Sequence, residues 1–214
     1  MKAIPASRLL LWLVLGLPGA WMLYRWAATP DAYGFGHAIG DSGLWAAWLL
    51  MLTLAVTPLR LLFGRRGWTT WLLRRRRDFG VASFAYGTGH TVIYLADKAA
   101  LPTILAEASR SELLAGWLAL ALFVPLAVTS NDKAVRALKR SWKRLHRLVY
   151  FAAIAGVMHY WMLVKSDIRL PAYYGLVVAI LLAFRLYWAR MQDRRKETRA
   201  AELRTSATPK EKSA

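Results

Sequence analysis

The chain of 214 residues contains no cysteine, and none of its long apolar stretches contains aspartate or glutamate. Without cysteine it forms no disulfide, thiolate-held iron–sulfur cluster, c-type haem or thiolate zinc site. Proton-coupled transporters and pumps are disfavoured because they use intramembrane acids as relays. An intramembrane zinc protease is excluded because no His-Glu-x-x-His motif is present. Any metal bound within the apolar stretches would therefore have histidine as its protein ligand.

The chain contains several long apolar stretches. It is 57% hydrophobic and contains 11 tryptophans, a composition too apolar for a soluble domain of this size. A bilayer core of about 30 Å requires about 18–20 apolar residues of helix. Six stretches meet this requirement: 9–28, 44–63, 79–96, 113–130, 148–164 and 171–189. The sequence predicts an all-α integral membrane protein, a six-helix transmembrane bundle.

The basic residues predict the orientation of that bundle. The chain has 30 lysines and arginines against 12 acids. Most of the basic residues lie in segments 64–78, 131–147 and 190–214, whereas the three intervening loops hold four in all. Because basic loops stay in the cytoplasm, both termini are predicted to be cytoplasmic. The basic segments flank apolar spans, which favours contact with lipid headgroups over nucleic acid.

We expect one membrane domain, residues 1–190, followed by a basic polar cytoplasmic tail without stable structure, residues 191–214. The first apolar stretch is expected to be retained, because it is long enough to span and no cleavage pattern follows it. The tail carries no Gly-x-Gly-x-x-Gly motif and no strand pattern, so it holds no nicotinamide or FAD domain. Electrons for a redox reaction would then come from another protein or from a membrane quinol.

Two histidines, His90 and His159, lie inside apolar stretches. An ionisable side chain in hydrocarbon costs about 2.5–3.5 kcal/mol and needs a partner. Each lies 11 residues past the start of its stretch, and both stretches leave the cytoplasmic side. The two imidazoles are therefore expected at the same depth, about 17 Å from the cytoplasmic edge. Two neutral imidazoles at one depth can bind one haem iron axially.

The residues around these histidines are small, and they leave room for a porphyrin between the helices. Gly87 and Gly89 precede His90, and segment 152–156 before His159 is rich in alanine and ends in glycine. Small residues in membrane helices also serve simply to let helices pack closely. The competing interpretation is that each imidazole is a polar residue hydrogen-bonded inside the bundle.

His146 and His37 lie outside the apolar stretches. His146 precedes His159 by 13 residues, which places it about 20 Å nearer the cytoplasm. It is either a ligand or relay at an inner redox site, or an interfacial, solvated histidine. The third stretch offers no histidine at the matching depth, where Arg77 and Asp78 lie. His37, in a glycine-rich outer loop, is a weaker candidate, for contact with a partner outside.

Four motifs occur in order around His90, His146 and His159. They are residues 54–60, residues 75–80 with Tyr86, residues 125–130 and residues 142–150. This pattern resembles the MsrQ family, the haem-binding membrane subunits of the periplasmic protein-methionine-sulfoxide reductase system. That family belongs to the ferric-reductase-like transmembrane domains, which NADPH oxidases share. The resemblance covers about residues 9–190.

The resemblance implies b-type haem, a bound FMN and a multi-pass location in the bacterial inner membrane. Electrons would pass from a cytoplasmic flavin- or NAD(P)H-linked donor, or from the quinol pool, to a periplasmic molybdopterin-containing methionine-sulfoxide reductase. The catalytic reduction, which repairs oxidised periplasmic proteins, is expected in that partner. By position, His90, His146 and His159 match the haem-associated histidines of the family.

Two questions stay open at the level of sequence. The oxidase relatives carry two histidines on the third helix and this chain has only His90, so either one haem or two is compatible with the pattern. A flavin phosphate would find its most favourable site among residues 74–77 or 139–147. The alternative to an electron carrier is a non-redox membrane scaffold or assembly factor.

Overall fold

The computed structural model describes residues 6–165 and 167–207, with side chains described to residue 200. In this part the chain forms eight helices and no strand, so the all-α prediction is confirmed. The helices are α1 (Ala6–Ala28), α2 (Phe35–Phe63), α3 (Gly67–Lys98), α4 (Leu101–Ala108), α5 (Ser111–Val128), α6 (Asp132–Leu145), α7 (Leu148–Leu163) and α8 (Arg169–Ala207).

Four of the helices in the described residues, α1, α2, α5 and α8, are long and apolar enough to cross a membrane. Helix α7 is apolar but has only 16 residues. Helix α3 has 32 residues, but the basic run 74–77 lies within it. Length and composition thus give four candidate membrane spans among the described residues, and membrane crossing by α3 and α7 stays a prediction.

Helix boundaries differ from the apolar stretches in a consistent way. Helices α2 and α3 begin at Phe35 and Gly67, well before residues 44 and 79, because a helix continues into polar sequence that hydropathy does not detect. Helix α8 likewise continues through the basic segment to Ala207, and the domain boundary at residue 190 stays a prediction.

Two short helices, α4 and α6, occupy segments that the sequence analysis treated as loops. In α6 the Asn131 side chain accepts a hydrogen bond from the Ala134 backbone N–H at 2.8 Å, a standard N-cap. Helix α6 is kinked at Lys139, whose φ of 47° is in the left-handed region. Short amphipathic helices of this kind carry too little apolar length to register as spans.

The bundle is built from two antiparallel helix pairs. Helix α2 packs mainly against α3, α5 packs mainly against α7, and α8 contacts α7 and α2. A core joins α2, α5, α7 and α8 and contains Leu50, Leu54, Leu126, Val149, Ala153 and Val178. Helix α1 lies at the edge, where Leu13, Leu17 and Leu23 are largely exposed, as lipid-facing residues are.

The two ends of this bundle differ in chemistry. We call the end where α2 ends, α3 begins and α6 lies the basic end, because the basic segments 64–78 and 131–147 meet there. The opposite end, where α3 and α7 end, is called the histidine end. Each end contains polar side chains within largely apolar surroundings, where they need hydrogen-bond or ion-pair partners.

Candidate functional site

A cavity of about 430 Å³ lies between the two helix pairs and beside α8. Its walls are mainly apolar and include Leu50, Met51, Phe123 and Val178. Gly87, Ala153 and Gly156, three of the small residues near the histidines, line it as well. This volume falls within the range of about 300–1,000 Å³ typical of small-molecule and cofactor sites. The cavity is therefore large enough for a prosthetic group.

His90 and His159 both line this cavity, one from each helix pair. Their ring centroids are 6.0 Å apart and their planes are inclined at 87°. A metal lies about 2.0–2.1 Å from an imidazole nitrogen, and the ring centre lies about 1 Å further out. Two imidazoles on opposite sides of one metal therefore have centres about 6 Å apart. The structure places the two rings at this spacing.

A backbone carbonyl orients each of these rings. His90 Nδ1 donates to the Ile39 carbonyl at 2.9 Å, and His159 Nδ1 donates to the Glu112 carbonyl at 2.6 Å. Because a carbonyl only accepts, Nδ1 carries a proton in both rings, and Nε2 is the nitrogen that can bind a metal. Neither Nε2 has a protein partner in the described part of the chain. Metal-binding histidines are oriented in this way.

Two glycines allow the rings to come this close. Gly43 and Gly116 each lie one helical turn after the carbonyl that holds the ring. A Cβ atom at Gly43 would lie 3.1 Å from His90 Nδ1, and one at Gly116 would lie 2.8 Å from His159 Nδ1. At 2.8 Å the His159 ring would have to shift, and at 3.1 Å the His90 ring would have to give by a few tenths of an ångström, so glycine at both positions keeps the rings where they are.

The sequence analysis missed both glycines because it examined the helices that carry the histidines. It singled out Gly87 and Gly89, yet a Cβ atom at Gly89 would have no neighbour within 4 Å. The glycines that shape the ring positions lie on the partner helices α2 and α5. The signal available in the sequence was a glycine just before the second apolar stretch, Gly43, and one inside the fourth, Gly116.

These observations fit the haem that the sequence resemblance implies. Two histidines alone are too few for a metal site built only from protein, and no group of three or more His, Cys, Asp or Glu that could hold a metal ion occurs in the residues described. A porphyrin supplies the remaining ligands and needs apolar walls, which the cavity has. The donor atoms, the ring spacing and the small residues are therefore compatible with haem.

His146 lies apart from the cavity, at the basic end between α6 and α7. Its ring stacks on Trp142 with centroids 3.8 Å apart, its Nδ1 is 3.1 Å from the Trp142 carbonyl, and its Nε2 is 3.5 Å from Ser130 Oγ. Burial is the main cause that lowers the pKa of His146 below the ordinary histidine value. The ring is therefore neutral at pH 7. The structure does not bring it to His90 and His159.

His37, the weaker sequence candidate, is exposed and stacks on Tyr33 with centroids 5.8 Å apart. It does not line the cavity. Its position at the histidine end leaves contact with an outside partner as a prediction.

The basic end contains a second polar group, which the sequence analysis also missed. Arg185 lies inside the sixth apolar stretch, and its Nη2 donates to the Leu54 carbonyl at 2.6 Å. Pro58, four residues after Leu54, lacks the N–H that this carbonyl would otherwise accept. Arg76 Nε donates to the adjacent Thr53 carbonyl at 3.1 Å. The sequence did contain a signal for this group, because an arginine inside an apolar span indicates a functional site by default.

The two acids of the basic segments, Asp78 and Asp132, are both paired. Asp78 is buried and accepts from Arg8 at 2.8 Å, with Arg75 at 3.7 Å. Asp132 accepts from Arg77 at 2.6 Å, a contact that is the main cause lowering the pKa of Asp132. Arg76 and Arg185 contact only neutral acceptors in the described residues.

Comparison with known proteins gives a consistent result. Residues 42–157 match the family described as ferric reductase like transmembrane component. A protein of Xanthomonas campestris pv. campestris (strain B100) is 44% identical over 161 residues, which cover 74% of this chain and 72% of that protein. It is named protein-methionine-sulfoxide reductase heme-binding subunit MsrQ.

Two further relatives bear the same name. The protein of Xanthomonas oryzae pv. oryzae (strain MAFF 311018) is 38% identical over 89% of this chain and 88% of its own length. That of Ralstonia nicotianae is 37% identical over 87% of this chain and 88% of its own length. No solved structure matches the chain.

Proposed function

We infer a function from one premise: the chain belongs to the ferric reductase-like transmembrane family and, within it, to the MsrQ proteins. From this premise we propose that it carries electrons across the bacterial inner membrane through a b-type haem. The proposed acceptor is a periplasmic molybdopterin-containing methionine-sulfoxide reductase subunit, in which oxidised methionine is reduced. The chain itself is the electron-transfer subunit.

The observation that carries this proposal is the pair of facing imidazoles. His90 and His159 have ring centroids 6.0 Å apart, and each Nδ1 is bound to a carbonyl. Both rings line the same apolar cavity from different helix pairs, which is the arrangement that one metal held by two histidines requires. We therefore propose that His90 and His159 would hold the haem iron.

When bound, haem supplies one-electron chemistry at its iron. The protein contributes the ligands and their surroundings. The Ile39 and Glu112 carbonyls hold the rings and raise the basicity of Nε2, which strengthens its bond to a metal. The apolar walls exclude water from the cavity and keep its dielectric low, which influences the reduction potential.

We propose a six-span topology with both termini in the cytoplasm, in which α3 and α7 also cross the membrane. The basic end then faces the cytoplasm, as the positive-inside rule requires. The histidine end faces the periplasm, where the proposed partner would accept electrons. Supporting this arrangement, His159 lies within the last two turns of α7.

Electrons would enter at the basic end, from a cytoplasmic flavin- or NAD(P)H-linked donor or from membrane quinol. FMN is the proposed second cofactor, and His146 is the proposed ligand or relay near the entry point. The cavity between His90 and His159 supports one haem. A second haem at the basic end would need a ligand in addition to His146, whose ring stacks on Trp142.

A reoxidation experiment tests the proposed direction of electron flow. The detergent-purified chain is loaded with haem, reduced with dithionite, freed of excess reductant and mixed anaerobically with the partner subunit. With a small amount of partner, we expect the reduced b-type spectrum to decay only by the few electrons that the oxidised partner itself accepts, and to decay completely when methionine sulfoxide is also present. A well-folded but colourless protein, after expression with ample haem, would instead identify a non-redox scaffold.

A further inference from the structure

We propose that Arg110 and Glu112 position the His159 ring and keep the electric field at that ring balanced. Both are positioning residues, because they act through His159 and do not contact the metal site themselves. The redox part of this proposal rests on the proposed electron-transfer function, whereas the positioning of the ring does not.

The first observation is that the two rings of the histidine end are held unequally. His90 Nδ1 donates at 2.9 Å to the carbonyl of Ile39, whose side chain carries no charge. His159 Nδ1 donates at 2.6 Å to the carbonyl of Glu112, whose side chain is a carboxylate. One residue therefore brings both the carbonyl that orients the His159 ring and a negative charge to the same place.

The second observation is that the Glu112 carboxylate is itself bound at both of its oxygens. Arg110 donates to Oε1 through Nε at 2.8 Å and through Nη2 at 2.6 Å. Ser111 Oγ donates to Oε2 at 3.2 Å. The Glu112 side chain is only 16% exposed, whereas that of Arg110 is 51% exposed. These three donors leave the carboxylate little freedom to rotate.

The local sequence explains why these contacts form. Arg110 is the N-cap residue of α5, and its carbonyl accepts from the N–H groups of Leu113 and Leu114 at 3.0 and 2.9 Å. Its side chain does not cap the helix and binds Glu112 in the first turn. The helix dipole favours an acid at this position. The ion pair therefore fixes the turn of α5 that contains the carbonyl bound to His159.

The charges of the pair have a consequence at the metal site. A negative charge near a bound haem stabilises the ferric state and lowers the reduction potential, and a positive charge has the opposite effect. Together, Arg110 and Glu112 are neutral, so their fields largely cancel at His159. Removal of one partner leaves the charge of the other uncompensated. The sign of the resulting shift in potential therefore identifies which charge remains.

Stabilisation of α5 alone is the competing explanation for this ion pair. An ion pair that only stabilised the helix end would weaken the fold in both single variants and would not shift the potential in opposite directions. The exposed pair of Arg169 and Asp167, with Nε and Oδ1 3.5 Å apart, lies at the same end of the bundle. Neither of these residues is bonded to a histidine ring in the described part of the chain. Arg169→Gln is therefore the matched control.

The test measures the haem reduction potential of the full-length, haem-loaded protein in detergent by spectroelectrochemical titration. We expect Arg110→Gln to lower the potential and Glu112→Gln to raise it. Each shift should correspond to at least about a twofold change in the equilibrium constant for reduction. The variant that carries both substitutions should return close to the wild type, because it is again neutral. Arg110→Lys, which keeps the charge, should retain most of the wild-type potential.

Two controls separate this role from a general loss of structure. Arg169→Gln removes the same charge from the same end and should shift the potential less than Arg110→Gln does. Haem retained per chain should fall by no more than about fivefold in Arg110→Gln, as expected for a partly exposed ion pair. If Glu112→Gln does not fold, the comparison of Arg110→Gln with Arg110→Lys and Arg169→Gln decides the question.

Nitrogen NMR of histidine-labelled protein distinguishes failure of this proposal from failure of the proposed function. The Nδ1 resonance of His159 is identified by its absence in His159→Ala. Protein that binds no haem would refute the proposed function, and this resonance then decides the positioning role: it should shift in Arg110→Gln and stay in place in Arg169→Gln. In haem-loaded protein, shifts of the potential in the same direction in both single variants, no shift in either, or an equal shift in Arg169→Gln would overturn the proposal.

Discussion

The histidine end and the basic end differ in the side chains that their backbone carbonyls bind: imidazole rings at one end and guanidinium groups at the other. At the histidine end two imidazole rings lie edge to face, each hydrogen-bonded to one carbonyl and close to one glycine on the partner helix. At the basic end two cations share adjacent carbonyls and lack a counterion in the described residues. The first end is lined by an apolar cavity, and the second has an excess of positive charge. The same helices thus carry an apolar cavity at one end and closely spaced cations at the other.

The largest expected effect is loss of haem on substitution of Gly116, which changes the histidine end and not the basic end. In Gly116→Ala the new Cβ would lie 2.8 Å from His159 Nδ1, so the ring must move away from the Glu112 carbonyl. Loss of such an orienting contact typically costs about 10–100-fold in metal-site affinity. We expect haem retained per chain, measured by pyridine haemochrome, to fall severely.

Two matched variants sharpen this prediction. Gly43→Ala should have a smaller effect, because its Cβ would lie 3.1 Å from His90 Nδ1. Gly89→Ala, on the helix that carries His90, has no neighbour within 4 Å and should retain haem fully. Equal haem retention in all three variants would show that the glycines do not position the rings.

The next effect concerns stability at the basic end. In Asp78→Asn the buried carboxylate loses its charge, and Arg8 and Arg75 lose their shared partner. We expect the free energy of unfolding to fall by about 2–3 kcal/mol, since Arg8 is half exposed and partly screened. Denaturant titration followed by tryptophan fluorescence measures it. Asp132→Asn, which breaks an exposed pair, should be much milder; a similar loss in both would contradict the assigned burial.

A smaller effect tests the link between Pro58 and Arg185. Pro58→Ala restores the N–H group that the Leu54 carbonyl lacks, so Arg185 becomes less necessary for this carbonyl. In a double-mutant cycle, Arg185→Gln should cost about 1 kcal/mol less in the Pro58→Ala background than in the wild type. Additive effects would mean that Arg185 does not compensate for the proline.

The smallest expected effect is a pH dependence at the surface of the basic end. The Arg77 guanidinium lowers the pKa of Asp132 below its ordinary value. The pair therefore stabilises the fold above the ordinary aspartate pKa, and this contribution disappears as the pH falls through the lowered pKa. The thermal midpoint of the wild type should fall slightly towards that of Asp132→Asn at low pH. A difference between the two proteins that does not change with pH would contradict this.

Much of the helical architecture could be predicted because apolar length and basic loops are local properties. The all-α fold and family membership were predicted and are confirmed. The equal spacing of His90 and His159 within their stretches also placed two rings at one depth, although their role as ligands stays a prediction. Helices α4 and α6 were not predicted, because short amphipathic segments resemble loops in hydropathy.

The rest of both sites depends on contacts between residues far apart in sequence. His90 and Ile39 are separated by 51 residues, His159 and Glu112 by 47, and Arg185 and Leu54 by 131. Which glycine meets which ring, and which carbonyl meets which arginine, depends on how the helices pack. A single sequence shows that Arg185 lies in a span, but not that Arg76 lies beside it.

The most direct test of the central claim is the absorbance spectrum of the purified protein, oxidised and dithionite-reduced, beside His90→Ala, His159→Ala and His146→Ala. We expect a low-spin b-type spectrum in the wild type, its loss or conversion to high spin in both His90→Ala and His159→Ala, and its retention in His146→Ala. A low-spin spectrum that survives in folded His90→Ala or His159→Ala protein would contradict the assignment of this pair as axial ligands.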